Sequence, residues 1–283
     1  MSESRSKTRD LLSISVAYIF LALNVLYAVV PILWLIVLSI EPIEDYWSAS
    51  KLLIPPRVTI ENYVNLLFHS QFPRWLANTL IVSTSSSILS ALICTLAAYA
   101  FVFHEVRGKE VLFTLALLPV LVPLQTLIVP LFLTFTYLNL TNTYYALILP
   151  YLVSAFGIYF MRAYIASGVH SEIVDSARVD GASELVIFFK IILPMITPAL
   201  LTLIILGFIN TSNSFLWPLV AAQTEDMFTL NVGLSQWAKT KWNLQTYLPL
   251  TVSGAVLSML VVVVIYVFAQ KYYVGGITLT VKG

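Results

Sequence analysis

The chain has 283 residues, of which 59% are hydrophobic and only 10% charged, with a mean hydropathy of +0.89 and a formal net charge of +1. A soluble domain carries about 25% charged residues, so this composition excludes a water-facing globular surface and points to an integral membrane protein. No basic patch suggests nucleic acid. The single cysteine, Cys94, lies in an apolar run, which excludes a disulfide framework and leaves buried packing as its role.

No Asp, Glu, Lys or Arg occurs in Leu11–Ile40, Trp75–His104, Val111–Met161, Ile191–Thr224 or Asn243–Gln270. A helix needs about 20 apolar residues to cross the hydrocarbon core, so four of these stretches predict one span each. Val111–Met161 is too long for one, and the polar turn Asn139-Leu-Thr-Asn142 divides it. The expectation is an all-α protein with six transmembrane helices near 11–40, 76–103, 111–137, 143–161, 191–211 and 248–269. A short tail, 1–10, precedes a single transmembrane domain over 11–283. The first apolar run is too long for a signal peptide and no small-residue cleavage site follows it, so it is read as a retained helix.

Placing the N-terminus in the cytoplasm collects Arg5, Lys7, Arg9, Arg107, Lys109, Arg162, Arg178, Lys190, Lys271 and Lys282 on that side. It leaves Lys51, Arg57, Arg74, Lys239 and Lys241 outside. Ten against five puts both termini, and the polar stretch 162–190, in the cytoplasm by the positive-inside rule.

Intramembrane acids and bases mark ion-coupled transport, and the spans have none. Their polar groups are neutral: Asn78, Thr95, Gln125, Thr126, Asn210, Thr211, Ser212 and Asn213. Such groups either line a path for an uncharged polar solute or bond neighbouring helices. Asn210 and Asn213 are three apart, on one helical face, with Phe215, Trp217 and Pro218 close in sequence. That cluster, with Asn78 and Gln125, forms the candidate substrate path: amides bond hydroxyls and aromatic rings stack on sugar faces. Pro119, Pro123 and Pro130 each remove a backbone donor and predict a kinked or broken third span. Proline is also commoner in membrane helices generally.

The largest polar segment, Arg162–Lys190, predicts two short helices. Ser171–Val179 has Ser171 as a candidate N-cap, Glu172 in its first turn, and Ile173 and Ala177 stacked at i, i+4. Asp180-Gly181 breaks it, glycine supplying the freedom for a sharp turn. A second helix runs from near Ala182 to Leu193-Pro194. A helix of two turns is not stable alone and must dock, on its own bundle or on a soluble partner.

The pattern Asp175-Ser-Ala-x-x-Asp180-Gly-Ala182, eight residues, then Ile191-x-Leu-Pro194 resembles the EAA loop of permease subunits of binding-protein-dependent ABC importers. Asp175 stands where the family has Glu, and Ser176 where it has Ala. The resemblance extends through Pro55-Pro56, Thr59-Ile-Glu-Asn-Tyr63, Trp75–Ser83, Ala98-Tyr-Ala-Phe101, Phe215-Leu-Trp-Pro-Leu219, Thr229-Leu-x-Val-Gly-Leu234 and the terminal Gly275-Gly-Ile-Thr segment. Together these resemble carbohydrate permeases similar to the smaller permease of the maltose importer.

The resemblance implies a type I ABC importer permease fold in a prokaryotic inner membrane. It also implies four kinds of partner: a second homologous permease, two cytoplasmic ATP-binding cassette subunits, an extracytoplasmic solute-binding protein, and a carbohydrate substrate. Glu172, Asp175, Ser176, Ala177, Asp180, Gly181, Ala182 and Pro194 would form the ATPase-coupling element, with Asp175 facing a basic residue of the ATPase. Docking would cover Ile173 and Val174. Any ATP is bound by another chain, since no phosphate-cradling G-x-x-x-x-G-K-[ST] loop is present. His69, His104 and His170 are scattered, which leaves no expected metal site, and no enzymatic activity or bound cofactor is expected. A permease for another uncharged polar solute, and an ATPase-independent channel or secondary transporter, are the alternatives.

Overall fold

The computed structural model describes residues 2–46, 55, 57–240 and 243–277, with side chains outside the description for residues 2–13, 124, 265, 266 and 268–277. The cationic groups of Arg5, Lys7, Arg9, Lys51, Lys241, Lys271 and Lys282 therefore lie outside the described residues, as do Pro56 and the segment after 277. Every regular element among the described residues is helical. In order these are α1 Ser2–Ser39, α2 Glu61–Phe68, α3 Phe72–Phe103, α4 Lys109–Leu117, α5 Leu124–Tyr137, α6 Tyr144–Ile148, α7 Ala155–Gly168 and α8 Ser171–Val179. There follow α9 Glu184–Ile187, α10 Leu193–Met195, α11 Thr197–Ser212, α12 Leu216–Ala221, α13 Leu230–Lys239 and α14 Leu244–Ile277.

The contacts group into two compact units. The first comprises residues 1–70 and 236–257. The apolar part of α1, Ile14–Ser39, is long enough to cross a bilayer and buries none of its most apolar window inside the chain. Its C-terminal carbonyls need partners once the helix stops, and neighbouring side chains supply them. Asn62 Nδ2 donates to Ser39 O and Glu41 O at 3.0 and 2.9 Å, Tyr46 Oη to Leu38 O at 2.6 Å, and Ser253 Oγ to Ser39 O at 3.2 Å. Arg57 forks onto Asp45 at 2.8 and 2.7 Å and holds that carboxyl below the usual aspartate range.

The second unit comprises residues 71–235 and 258–283 and is organised around α3, which packs against α7 and α11. Small residues make this possible, because they let helix backbones approach closely. A Cβ on Gly207 of α11 would stand 3.2 Å from Ser87 Cβ, and one on Gly157 of α7 would stand 3.0 Å from Cys94 Sγ. Cys94 is buried, as its apolar setting predicts, and its Sγ lies 3.5 Å from Ser154 O.

Two helices besides α1 are long and apolar enough to cross a membrane unbroken: Phe72–Phe103 and Leu244–Val264. The other expected spans are bent pairs. The third is two pieces: α4 ends at Leu117, a 3-10 turn carries Pro119, and the axis turns by 105° before α5, with Pro123 as its N-cap. Pro130 sits inside α5 without ending it, and the carbonyl four residues before Thr134 is taken by Thr134 Oγ1 at 2.8 Å. The fourth breaks by 46° between Tyr151 and Ala155, and its second half runs to Gly168, so Arg162 belongs to a helix and not to the polar connection. The fifth bends by 84° at Ile196, preceded by a π-helical segment over Phe188–Ile192. The turn at Asn139 and Asn142 is present, both residues taking the left-handed backbone conformation that asparagine tolerates.

Candidate functional site

Helix α8 spans the residues expected from the sequence, with one correction at its start. The N-cap is His170, in extended conformation, and Ser171 is the first helical residue. At its other end the elbow is a Schellman motif. Ala182 N donates to Ala177 O and Gly181 N to Arg178 O, both at 3.0 Å, and Gly181 has φ +80°.

The buried face also needs correcting. Val174 is fully buried and Ala177 is 9% exposed, in one apolar cluster with Ile165 and Val169 at the end of α7 and Ile187 and Phe188 beyond the elbow. Ile173 is only half-buried. Val174 is thus covered by the chain's own bundle and is not left for a partner, because i, i+3 neighbours point inward where i, i+4 was expected. The outward face is Glu172, Asp175, Ser176 and Val179, at i, i+3, i+4 and i+7, with Asp180 beside it. Val179 is 87% exposed. Ser176, the departure from alanine, is self-sufficient: its hydroxyl donates to Glu172 O at 2.6 Å, inside its own helix.

A charged clamp that sequence reasoning missed closes the elbow. Arg178 Nε donates to Glu184 Oε1 at 2.8 Å, Nη1 to Asp175 Oδ1 at 3.2 Å, and Nη2 to Phe103 O at 3.2 Å. One guanidinium therefore joins α8, the start of α9 and the end of α3. Its hydrogen bond to the Glu184 carboxylate is the main reason its pKa is pushed above the ordinary arginine value, and Asp175 adds to this. Tyr99 Oη donates to Glu184 Oε2 at 2.5 Å, and His104 Nε2 lies 3.4 Å from the same oxygen. The signal in the sequence was opposite charge at Arg178 and Glu184 on either side of Gly181. Pro194 lies in the first turn of α10, after the π-helical segment and just before the 84° bend.

The expected path residues are not brought together. Asn78 is buried with no exposed surface. Its Nδ2 donates to Asp226 O at 2.7 Å and Phe228 O at 2.9 Å, and its Oδ1 accepts from Tyr144 Oη at 2.6 Å. Trp217 is 1% exposed, donates Nε1 to Ala146 O at 2.9 Å, and packs edge-on against Phe135. Both hold the fold. Gln125 lies exposed near the start of α5. Asn210 lines a cavity of about 480 Å³ between α3, the α6–α7 break and α11. Asn213, the C-cap of α11, lines a separate one of about 300 Å³. The two amides diverge although Asn213 keeps helical backbone geometry: positions three apart are turned by roughly 60° about the axis, and Asn213 Nδ2 bonds back to Ile209 O at 2.9 Å.

Asn78→Ala should therefore lower the Tm of the purified protein, at a cost of roughly 1–3 kcal/mol for the partners left unsatisfied. A path residue would instead reduce uptake at unchanged Tm, and thermal unfolding beside a transport assay separates the two.

Residues 90–277 match the family model of the binding-protein-dependent transport system inner membrane component. The chain belongs to that family. As such it is a multi-pass inner-membrane permease. Among its relatives is the arabinooligosaccharides transport system permease protein AraQ of Halalkalibacterium halodurans, 34% identical over 285 residues, which cover 99% of this chain and 100% of that protein. The galactooligosaccharides permease GanQ of Bacillus subtilis is 30% identical, over 96% of each chain. A chain of a bacterial ABC transporter involved in import of the acidic polysaccharide alginate superposes with a TM-score of 0.82 at 24% identity, covering 91% of this permease and 95% of that chain. The type I ABC importer permease fold is thereby established for this permease.

Proposed function

We propose that this permease forms half of the translocation path of an ATP-driven importer for a neutral sugar or oligosaccharide, and couples to a separate ATPase through the 171–182 elbow. The observation that carries the coupling is the geometry of α8. Its inner face is held by the bundle, and its outer face presents carboxylates around one exposed valine. A helix so anchored suits a soluble partner with a basic rim and an apolar pocket, and its displacement moves α9 and α11 through Arg178 and the bend at Ile196.

In this reading the six-span count holds, each bent pair crossing the bilayer as one span with both termini in the cytoplasm. Two ATP-binding cassette subunits supply ATP hydrolysis, this chain binds no cofactor and catalyses no reaction itself, and a second permease completes the path. The apolar window of α1, none of which is buried inside the chain, suits lipid and that second permease. A solved relative is described in complex with an alginate pentasaccharide-bound periplasmic protein, which supports an outer solute-binding partner here. The oligosaccharide relatives AraQ and GanQ support the substrate class.

The test is co-expression with the partner permease, ATPases and binding protein, followed by uptake of arabinotriose, galactotriose and maltotriose into proteoliposomes. Asp175→Lys should reduce ATPase co-purification about three- to tenfold by placing like charge against a basic groove. Unchanged co-purification would rule out the ion pair.

A further inference from the structure

The cavity that Asn210 lines lies at the middle of α3, where Ser83, Ser86, Ser87 and Ser90 follow one another at i, i+3, i+4 and i+7. A stripe of small residues explains close helix packing by itself. Two further observations go beyond packing. Ser86 is 1% exposed, its Oγ has no hydrogen-bond partner, and the residue forms part of this cavity's wall. A buried hydroxyl left so costs free energy unless something else meets it. Beside it the α6–α7 pair breaks by 46°, bringing Tyr151 and Ser154 to the cavity wall. Irregular backbone at membrane depth is tolerated only where it is buried in protein or faces a water-filled cavity.

The wall has a definite chemistry. Ser86, Ser87, Ser90, Asn210 and Thr211 offer hydroxyls and an amide, and Tyr151 contributes an aromatic edge. No acidic or basic side chain lines it among the described residues, so an anionic sugar would find no counter-charge. The volume of about 480 Å³ falls in the lower part of the range for small-molecule sites, about 300–1,000 Å³.

We propose that this cavity is a solute subsite within this permease, taking one or two neutral sugar rings and reading their hydroxyls through Ser86 and Asn210. This rests on the sugar-import reading above and adds to it that this subunit itself touches the solute.

Ser83 supplies the internal control. It is 1% exposed and its Oγ is equally unpartnered, one turn away, but it does not line the cavity. Alanine at either position removes an unsatisfied hydroxyl, so both variants should hold or raise the Tm of the reconstituted complex. They should part in transport. With the trisaccharide that the wild-type complex takes up, Ser86→Ala should raise the KM for uptake roughly three- to tenfold, as expected for one lost hydrogen bond. Asn210→Leu should do the same or more, and Ser83→Ala should leave the KM unchanged.

Unchanged KM in both Ser86→Ala and Asn210→Leu overturns the subsite while leaving the sugar reading intact. Equal losses in Ser83→Ala and Ser86→Ala overturn it as well, since the effect would then be one of packing. A wild-type complex that imports none of arabinotriose, galactotriose and maltotriose overturns the sugar reading and the subsite with it.

Discussion

Gly181→Val is expected to lower binding-protein-stimulated ATP hydrolysis and uptake together by about tenfold or more. The reason is conformational. Gly181 has φ +80°, and no atom lies within 4 Å of where a Cβ would stand, so the added Cβ itself meets no clash. A β-branched residue in that region is a genuine outlier, with a cost on the order of 1–3 kcal/mol, and each 1.4 kcal/mol is a factor of ten in an equilibrium. The cost falls on the two Schellman hydrogen bonds that aim α8 relative to α9. Hydrogen exchange over 171–190 should accelerate in the variant while the spans remain protected. Gly168 has equally open space and no positive φ, so Gly168→Ala is the matched control and should behave as wild type. Normal uptake by a well-folded Gly181→Val complex would remove the elbow from the coupling mechanism.

Arg178→Ala should have a different signature: a several-fold fall in sugar imported per ATP hydrolysed, with little change in Tm. The side chains of Arg178 and Glu184 are 31% and 42% exposed. An ion pair so open to solvent contributes only about 0.2–1 kcal/mol to stability. Its value lies in position, because the same guanidinium reaches Glu184 and the carbonyl of Phe103. Without it, α8 keeps its apolar anchor at Val174 and can still bind an ATPase, but its movement is no longer tied to the end of α3. The charge-exchanged double variant, Arg178→Glu with Glu184→Arg, should recover part of the lost stoichiometry. A double-mutant cycle with no interaction term would mean that the clamp does not transmit motion.

How much of this was legible beforehand varies by element. The limits of α8 and its glycine elbow follow from local rules, namely a short polar helix, a positive-φ position and a spacing shared with a family. The Arg178–Glu184 pair was legible in part, as opposite charges six residues apart. The link to Phe103 O was not, since it joins positions 75 residues apart in sequence. The serine stripe of α3 was plain in the sequence at helical spacing, yet the unpartnered hydroxyl of Ser86 emerges only when α7 and α11 close around it. Asn78 and Trp217, expected on the path, instead bond backbone carbonyls, and the sequence could not distinguish the two for a physical reason. A polar or aromatic group at membrane depth looks the same in sequence whether it faces a solute or a neighbouring carbonyl, and here Asp226, Phe228 and Ala146 supply the carbonyls.

By itself the sequence determined that the chain is apolar enough to live in a bilayer, that five long stretches carry no acid or base, and where its polar elbow lies. Those properties depend on composition and on contacts within a few residues, so no long-range information is needed. Only the tertiary structure decided which face of α8 is buried, that three expected spans are bent, and that Asn210 and Asn213 face different cavities. Each of these turns on which distant group lies opposite a given side chain. That is set by how closely small residues let α3, α7 and α11 approach, and by where prolines release the backbone from its own hydrogen bonds.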